Sequence, residues 1–189
     1  MGKYTAIAEV GQALVRTLQE NLCPEPLMNP DAISLCSPPD RGDTVVGLYL
    51  YDVSESEAVR MVNPVAVGES QLRSPPMLLQ LSYLLTVYSN VEAKFRALDE
   101  QRILGRAMQV LSDNAAVDAT EVLKDPNAIF GKINIQLINL TMEEKMRIWS
   151  FSDIPYRLSA CYRVDPVEVE STRLRTVRRV VDVQLGAKE

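Results

Sequence analysis

Residues 77–88, MLLQLSYLLTVY, alternate between apolar and polar side chains more clearly than any other stretch of the chain. An apolar side chain occupies every second position of Leu79–Val87, and Gln80, Ser82 and Thr86 lie between them. Successive side chains of a β-strand point to opposite faces of the sheet, so this period of two predicts a strand with one face buried. We therefore expect residues 77–88 to form a half-buried strand of a β-sheet.

The sequence predicts one amphipathic helix at the start of the chain and another directly after this strand. Within Tyr4–Leu22, apolar side chains recur every three or four residues, which is the spacing of one helix face. Ser89-Asn90-Val91-Glu92 matches a capping box, in which the serine accepts from the helix start and the glutamate reaches back. The second helix is predicted to continue to about Ser112.

The apolar stripe of this second helix changes direction along its length. Val91, Phe95 and Leu98 share one face, whereas the apolar residues of Ile103–Leu111 lie roughly half a turn away, given about 100° per residue. Two explanations remain open. Either the helix bends around one core, which is the simpler account, or its first half faces another subunit.

Further strands and one more helix follow from shorter patterns. Predicted strands lie at residues 32–36, 44–53, 133–137, 156–169 and 177–185. We expect the second of these to be central, because both of its faces are apolar, and the fourth to be interrupted at Asp165-Pro166. The mixed segment 54–76 predicts a loop or an exposed hairpin. A capping box at Thr141 predicts a short helix that ends near Phe151 and carries Trp149.

These elements together predict a single α+β domain. Its sheet is expected to be mainly antiparallel or mixed and to be flanked by helices. We assign residues 1–170 to this domain and residues 171–189 to a C-terminal basic strand or extension.

Composition restricts the partners that the protein is expected to have. A chain of 189 residues that is 47% hydrophobic and 24% charged suits one folded domain. A net charge of −5 opposes binding to phosphate backbones, so we expect no nucleic-acid partner. The first helix contains Glu9, Arg16 and Glu20 and is too polar to enter a membrane. Three cysteines without a secretory signal indicate reduced thiols and synthesis in the cytoplasm.

Residue types argue against catalysis. Histidine is absent from the sequence, which excludes serine–histidine and cysteine–histidine nucleophile pairs and histidine metal sites. The best remaining candidates for metal binding or acid–base chemistry are the carboxylates Asp52, Glu55 and Glu57, although such a cluster is more simply a solvated strand end. We therefore predict no catalytic residue, no cofactor and no metal. The protein is expected to be a structural or assembly protein and not an enzyme.

The C-terminal segment is locally basic on an acidic protein. It carries four arginines, and its later part has the apolar pattern of a strand, so we predict a partner contact formed by Arg173, Arg175, Arg178, Arg179 and Val181. Two interpretations remain open. The segment is either an edge strand guarded by charge or a strand that adds itself to the sheet of a neighbouring chain.

Several segments, taken in their order, resemble one known family. They are Ile7–Val10 continuing to Leu18, Leu35–Pro38, Gly47–Asp52, Pro75-Pro76 leading into Leu81–Thr86, Leu104–Gln109 and Tyr162–Val167. Over nearly its whole length the chain resembles the N-terminal domain of the cap, or tail-terminator, proteins of contractile injection systems, which are phage-tail-like particles. Longer family members continue beyond the basic strand, and the resemblance does not extend to the roles of their further C-terminal domain.

This resemblance implies a fold, a role and partners. It implies a tail-terminator-like fold and a homo-oligomer, most simply a six-fold ring, at the end of the tail distal to the baseplate. There the ring would bind the inner tube protein and the sheath protein and end their polymerisation, in a particle that stays in the cytoplasm or is released. Alternatives are another ring or adaptor of the tail tube or baseplate, an interaction domain that never joins a particle, and, remotely, a carboxylate-dependent enzyme.

Overall fold

A computed structural model describes residues 4–57, 63–68, 70–126, 128–151 and 154–176. The helices are α1 (Ala6–Leu22), α2 (Ala93–Asp113), α3 (Ala119–Val122) and α4 (Met142–Ile148). The strands are β1 (Ile33–Leu35), β2 (Val46–Glu55), β3 (Val65–Val67), β4 (Gln71–Arg73), β5 (Met77–Val87), β6 (Ala116–Asp118), β7 (Lys132–Ile138), β8 (Ser159–Val169) and β9 (Leu174–Thr176). No helix in this part of the chain is long and apolar enough to cross a membrane.

The main sheet has six strands in the order β1-β2-β5-β8-β7-β6. Only β1 and β2 run parallel, and all the other neighbours in this sheet are antiparallel. A second, smaller sheet has the order β3-β4-β9 and is antiparallel throughout. The prediction of an α+β domain with a mainly antiparallel sheet is therefore confirmed.

The strand that the alternating pattern predicted is β5, but it is not half-buried. Ser82 and Thr86, on its polar face, are only 4% and 2% exposed. One face of β5 contributes Leu81 and Tyr83 to the main core, and the other contributes Leu84 to a second apolar cluster. The prediction was wrong because the alternation shows which residues share a face but not whether another layer covers it.

The main core lies between the sheet and two helices. α1 contributes one complete stripe, and α2 contributes only its second half; the buried helix residues are Ala6, Val10, Leu14, Leu18, Leu22, Ile103, Leu104, Ala107, Val110 and Leu111. Gly11 allows α1 to lie close to the sheet, since a β-carbon there would stand 2.8 Å from the Leu35 side chain. This close approach brings the start of α1 alongside β1.

The opposite face of the sheet is covered by an aromatic cluster. Trp149, which is 4% exposed, packs edge-on against Phe151 and Tyr156, with ring centroids 6.4 and 6.0 Å apart. Its indole Nε1–H donates to Ser159 Oγ at 3.2 Å. The preceding helix α4 has the predicted capping box, because Thr141 Oγ1 accepts from the Glu144 N–H and the Glu144 carboxylate accepts from the Thr141 N–H.

The capping box predicted at the start of α2 was wrong. The helix begins at Ala93, and its N-cap Glu92 makes no side-chain capping hydrogen bond. Ser89 lies before the helix, where its hydroxyl donates to the Asp99 carboxylate and its N–H donates to Glu100 Oε1 at 3.2 Å. The serine is therefore bonded to the second turn of the helix and not to the first.

Two irregular segments resolve into ordered structure. Residues 54–76 contain the end of β2 and the β3–β4 hairpin, which confirms the hairpin alternative. β8 is continuous, and the predicted interruption is a bulge, because Leu79 and Leu81 of β5 pair with Val167 and Val164 of β8. The extra residue of β8 lies at Asp165-Pro166. The predicted strand at residues 177–185 lies outside the described residues.

Candidate assembly surfaces

The basic C-terminal strand begins at the edge of the small sheet. β9 pairs with β4, with Arg175 opposite Leu72, and all three residues of β9 are exposed. Arg173 is exposed as well, and its carbonyl accepts from the Ser74 N–H at 3.0 Å. Of the five predicted contact residues, the structure therefore describes two at an exposed strand edge. Arg178, Arg179 and Val181 lie outside the described residues.

One salt bridge links the small sheet to the end of β8, and a buried acid of β8 binds the loop before β7. Arg73 of β4 forms a salt bridge with Glu170 at 2.8 Å, and both side chains are mostly buried. Glu168 is 4% exposed, and its carboxylate accepts from the backbone N–H groups of Ile129 and Phe130. Removing either partner would leave a buried group without its hydrogen bonds. β9 is thus presented from a platform that is fixed to the end of β8.

A second candidate surface is the outer edge of β2. β1 pairs only with Val46–Leu48, whereas β5 pairs with β2 as far as Glu55. Beyond Leu48, no strand among the described residues pairs with the outer edge of β2. The side chains of Asp52 and Val53 are exposed there. An unpaired strand edge presents backbone donors and acceptors to another chain.

The predicted carboxylates lie along this edge but do not converge. Asp52 pairs with Ser82 and Glu55 with Leu79, so their side chains point to opposite faces of the sheet. Glu57 follows the strand and is exposed. Within the part of the chain that the structure describes, no three His, Cys, Asp or Glu side chains are grouped so that they could hold a metal ion. The arrangement is an acidic strand end without the geometry of a metal or acid–base site.

An apolar groove of about 410 Å³ opens where β1 ends and the outer edge of β2 becomes free. The start of α1, the end of β1 and the middle of β2 form its walls; lining residues include Tyr4, Ile7, Leu35, Cys36, Leu50 and Tyr83. Burial raises the pKa of the Tyr83 hydroxyl to about 12. Burial also raises the pKa of the Cys36 thiol, against hydrogen bonds from Ser34 and Thr44. Both groups are therefore neutral near pH 7, and the groove suits apolar side chains.

The first half of α2 lies outside the core. Phe95 and Leu98 share one face of the helix and are 55% and 53% exposed, and Val91, which precedes the helix, is 40% exposed. The second half is buried, and Leu111 is only 1% exposed. The change of stripe in the sequence therefore marks where the helix leaves the core. The layer of the fold that buries the second half of α2 does not cover the first half.

The remaining sequence motifs have structural roles. Cys161 is buried in the second apolar cluster, and burial raises the pKa of its thiol, which keeps it protonated and unreactive near neutral pH. Arg41 of the Arg41-Gly42-Asp43 turn lies with its guanidinium carbon 4.9 Å from the centre of the Tyr88 ring. Gly42 has a φ of +52°, a conformation that glycine adopts without strain.

Sequence reasoning missed β6, α3 and the open edge of β2. β6 and α3 are too short, at 3 and 4 residues, to show a period. The open edge had a signal in the predicted lengths, because a five-residue strand cannot cover a ten-residue neighbour. This signal is usable only when the two strands are known to be neighbours, and the sequence does not show which strands pair.

Comparison with known proteins identifies the family. A model of the family described as the Pvc16 N-terminal domain matches residues 9–182, whereas no curated protein matches the sequence. The PVC sheath/tube terminator of an extracellular contractile injection system, in its extended state, has a similar fold, with a TM-score of 0.64 and 17% identity over 97% of this chain. The anti-feeding prophage cap, a tube-terminating cap, has a TM-score of 0.67 and 16% identity over 94% of this chain.

This chain covers only 63% and 60% of the lengths of those two chains. At such identities the likeness to these two structures shows a shared fold. This is the tail-terminator-like fold that the sequence predicted. The family match extends over most of the 189 residues and does not depend on these structures. The chain belongs to the Pvc16 N-terminal domain family.

Proposed function

We propose that this protein is a tail terminator, a structural cap that ends the polymerisation of tube and sheath in a contractile injection system. The observation that carries the proposal is the fold shared over 97% and 94% of the chain with two proteins described as terminators. The family match supports the same role. The role requires binding without turnover, which suits a chain that has no histidine. The cap would be made in the bacterial cytoplasm and would become part of the particle.

A terminator must match a helical lattice on one side and offer no matching surface on the other. A ring with closed cyclic symmetry does this, because every head-to-tail contact is used within the ring. We propose a homo-oligomeric ring, most simply of six copies, at the baseplate-distal end of the tail. Its partners would be the inner tube protein and the sheath protein, without nucleic acid or membrane.

The contact with the sheath is proposed to use the basic C-terminal segment. Arg173 immediately precedes β9, and Arg175 is its middle residue. A strand of the sheath protein could add to the exposed edge of β9. Arg178, Arg179 and Val181 continue the same segment and are proposed to contact a second copy of the chain instead of the sheath. A chain that lacks residues 173–189 should fold but bind sheath weakly in co-sedimentation, whereas a chain that lacks only residues 177–189 should keep binding through β9. Equal sheath binding by wild type and the longer deletion would reject this contact.

Deleting the gene tests the whole proposal. Without a terminator, tails should be overlong, irregular or unstable in electron micrographs, and expression of the wild-type gene should restore a narrow length distribution. Particles of uniform, normal length in the deletion strain would reject the role. A labelled copy seen at the baseplate end would instead identify a baseplate ring or adaptor.

A further inference from the structure

The open edge of β2 and the C-terminal segment have complementary charge. The 25 acidic and 20 basic residues of the chain are unevenly placed, and residues 173–189 contain five of the basic residues but only two of the acidic ones. The edge of β2 has the opposite sign, with the exposed acids Asp52 and Glu57 and no basic residue between them. Charges on a strand edge deter pairing with most strands, but these acids favour a basic one.

We propose that the open edge of β2 receives residues 177–185 of a second copy as an added strand, which forms the head-to-tail contact of the ring. This inference rests on the proposed function for the existence of a ring. It assigns the residues after β9 to the neighbouring copy and leaves the edge of β9 to the sheath. The added strand uses two different surfaces of each subunit, as a cyclic ring requires.

The two segments can pair over seven residues. Residues 49–55 of β2 extend over roughly 23 Å, and nine residues from 177 to 185 reach roughly 30 Å when extended, at about 3.3 Å per residue, so a centred strand pairs through residues 178–184 and extends one residue past the edge at each end. Asp52 and Val53 are exposed, so the described residues of one copy leave this part of the edge accessible. Main-chain hydrogen bonds would supply the affinity, and the side chains would set the register.

The side chains also indicate the direction of the added strand. Val181, Val183 and Leu185 occupy alternate positions and therefore share one face, whereas Arg178 and Arg179 precede them. The apolar groove lies near Leu50, and the acids extend from there to Glu57. Placing the arginines beside the acids and the apolar residues beside the groove requires an antiparallel strand.

Charge reversal in the full-length chain tests the contact, with native mass spectrometry and light scattering as readouts. Wild type should form a hexamer. Asp52→Lys with Glu57→Lys should weaken each subunit contact at least about tenfold and give monomers, as should Arg178→Glu with Arg179→Glu. The chain that carries all four reversals should recover the hexamer. Glu20→Lys with Asp113→Lys, on exposed helix ends away from β2, is the matched control and should leave the hexamer intact.

Each other outcome overturns the inference. The inference is wrong if the wild type is monomeric, or if the hexamer persists in both charge-reversed pairs. It is also wrong if the variant with all four reversals does not form a hexamer. If reversing Arg178 and Arg179 exposes β2 to hydrogen exchange without changing the mass, the segment binds its own chain. If rings persist but sheath binding is lost, the segment binds only the sheath.

Disulfide cross-linking checks the direction without altering charge. An antiparallel strand centred on residues 49–55 places Val181 of the neighbour opposite Asp52 and Val180 opposite Val53. Val53→Cys with Val180→Cys should therefore give covalent oligomers under oxidation. Val53→Cys with Leu185→Cys should not. The reverse result would overturn the antiparallel contact. Normal tail lengths in the deletion strain would reject the proposed function but not this ring contact. Rings that persist in the charge-reversed variants would reject the ring contact but not the proposed function.

Discussion

Tyr83 illustrates how one residue links the local sequence to the packing around it. Its side chain is 1% exposed, and its hydroxyl oxygen lies 3.3 Å from the point where a β-carbon of Gly11 would stand. The missing side chain at position 11 therefore lets α1 cover the tyrosine. Burial of the neutral hydroxyl disfavours its ionisation, which raises its pKa to about 12.

Buried tyrosines should make the fold sensitive to alkaline pH. The pKa values of Tyr83 and Tyr162 are raised to about 12, from 10.0. The unfolded chain loses these protons first, so their contribution to stability is complete below pH 10 and is lost as the pH rises through 12. Urea unfolding should show stability falling by up to about 1.4 kcal/mol per pH unit for each tyrosine. Tyr162→Phe should reduce this slope, and Tyr4→Phe at an exposed position should not.

Thr141 should stabilise the start of α4 through its hydroxyl. Because Thr141 Oγ1 accepts from the Glu144 N–H, Thr141→Ala should destabilise the helix by about 1 kcal/mol. The protein contains one tryptophan, Trp149, immediately after α4, so its fluorescence in a urea titration reports on this region. Met142→Ala, at a position 57% exposed, is the neighbouring control. Equal midpoints for the two variants would contradict the capping role.

At the scale of an element, α2 combines two environments in one continuous helix. Its second half completes the core above the sheet, and its first half carries exposed Phe95 and Leu98. Glu100 ties the first half to the domain through a 3.1 Å salt bridge with Arg157. Exposed apolar residues on such a face add little to the stability of the isolated chain.

Leucine-to-alanine substitutions in the two halves of α2 should therefore differ. Leu111→Ala removes a buried side chain and should lower the free energy of unfolding by about 2–5 kcal/mol. Leu98→Ala removes the same atoms from an exposed position and should change it by less than about 0.5 kcal/mol. Urea midpoints measure both. A large cost at Leu98 would mean that this half packs within the domain.

At the scale of the whole molecule, the protein has a buried core and exposed strand edges. Both faces of the main sheet are covered by apolar clusters. The edge strand β9 of the small sheet and the part of β2 that extends beyond β1 lie outside these clusters. The described residues from Arg173 to Thr176 are all exposed. Exposed edges of this kind can change without loss of the core.

Truncation should therefore separate folding from assembly. A chain that lacks residues 173–189 loses the β9–β4 pairing but no buried side chain among the described residues. Its free energy of unfolding should fall by about 1 kcal/mol or less, since only exposed strand pairing is removed. Circular dichroism and urea titration measure this result. Loss of cooperative unfolding would show that the C-terminal segment belongs to the core.

Several elements were predictable because their signals are local. The stripe of α1, the alternation of β5 and the capping box of α4 each depend on residues within a few positions of one another, and the structure contains all three. The start of α2 was not predictable, because Ser89 bonds to Asp99 and Glu100 in the second turn of the helix. A motif shows what a serine can do but not which of several partners it will contact.

The sequence by itself determined the α+β class, most of the helices and strands, the family resemblance and the acidic and basic character of two segments. Only the tertiary structure decided that β5 is buried on both faces and that half of α2 leaves the core. It also decided that no strand among the described residues pairs with the outer edge of β2 beyond Leu48. The physical reason is that periodicity records which residues share a face, whereas burial and edge pairing depend on layers and strands contributed by distant parts of the chain.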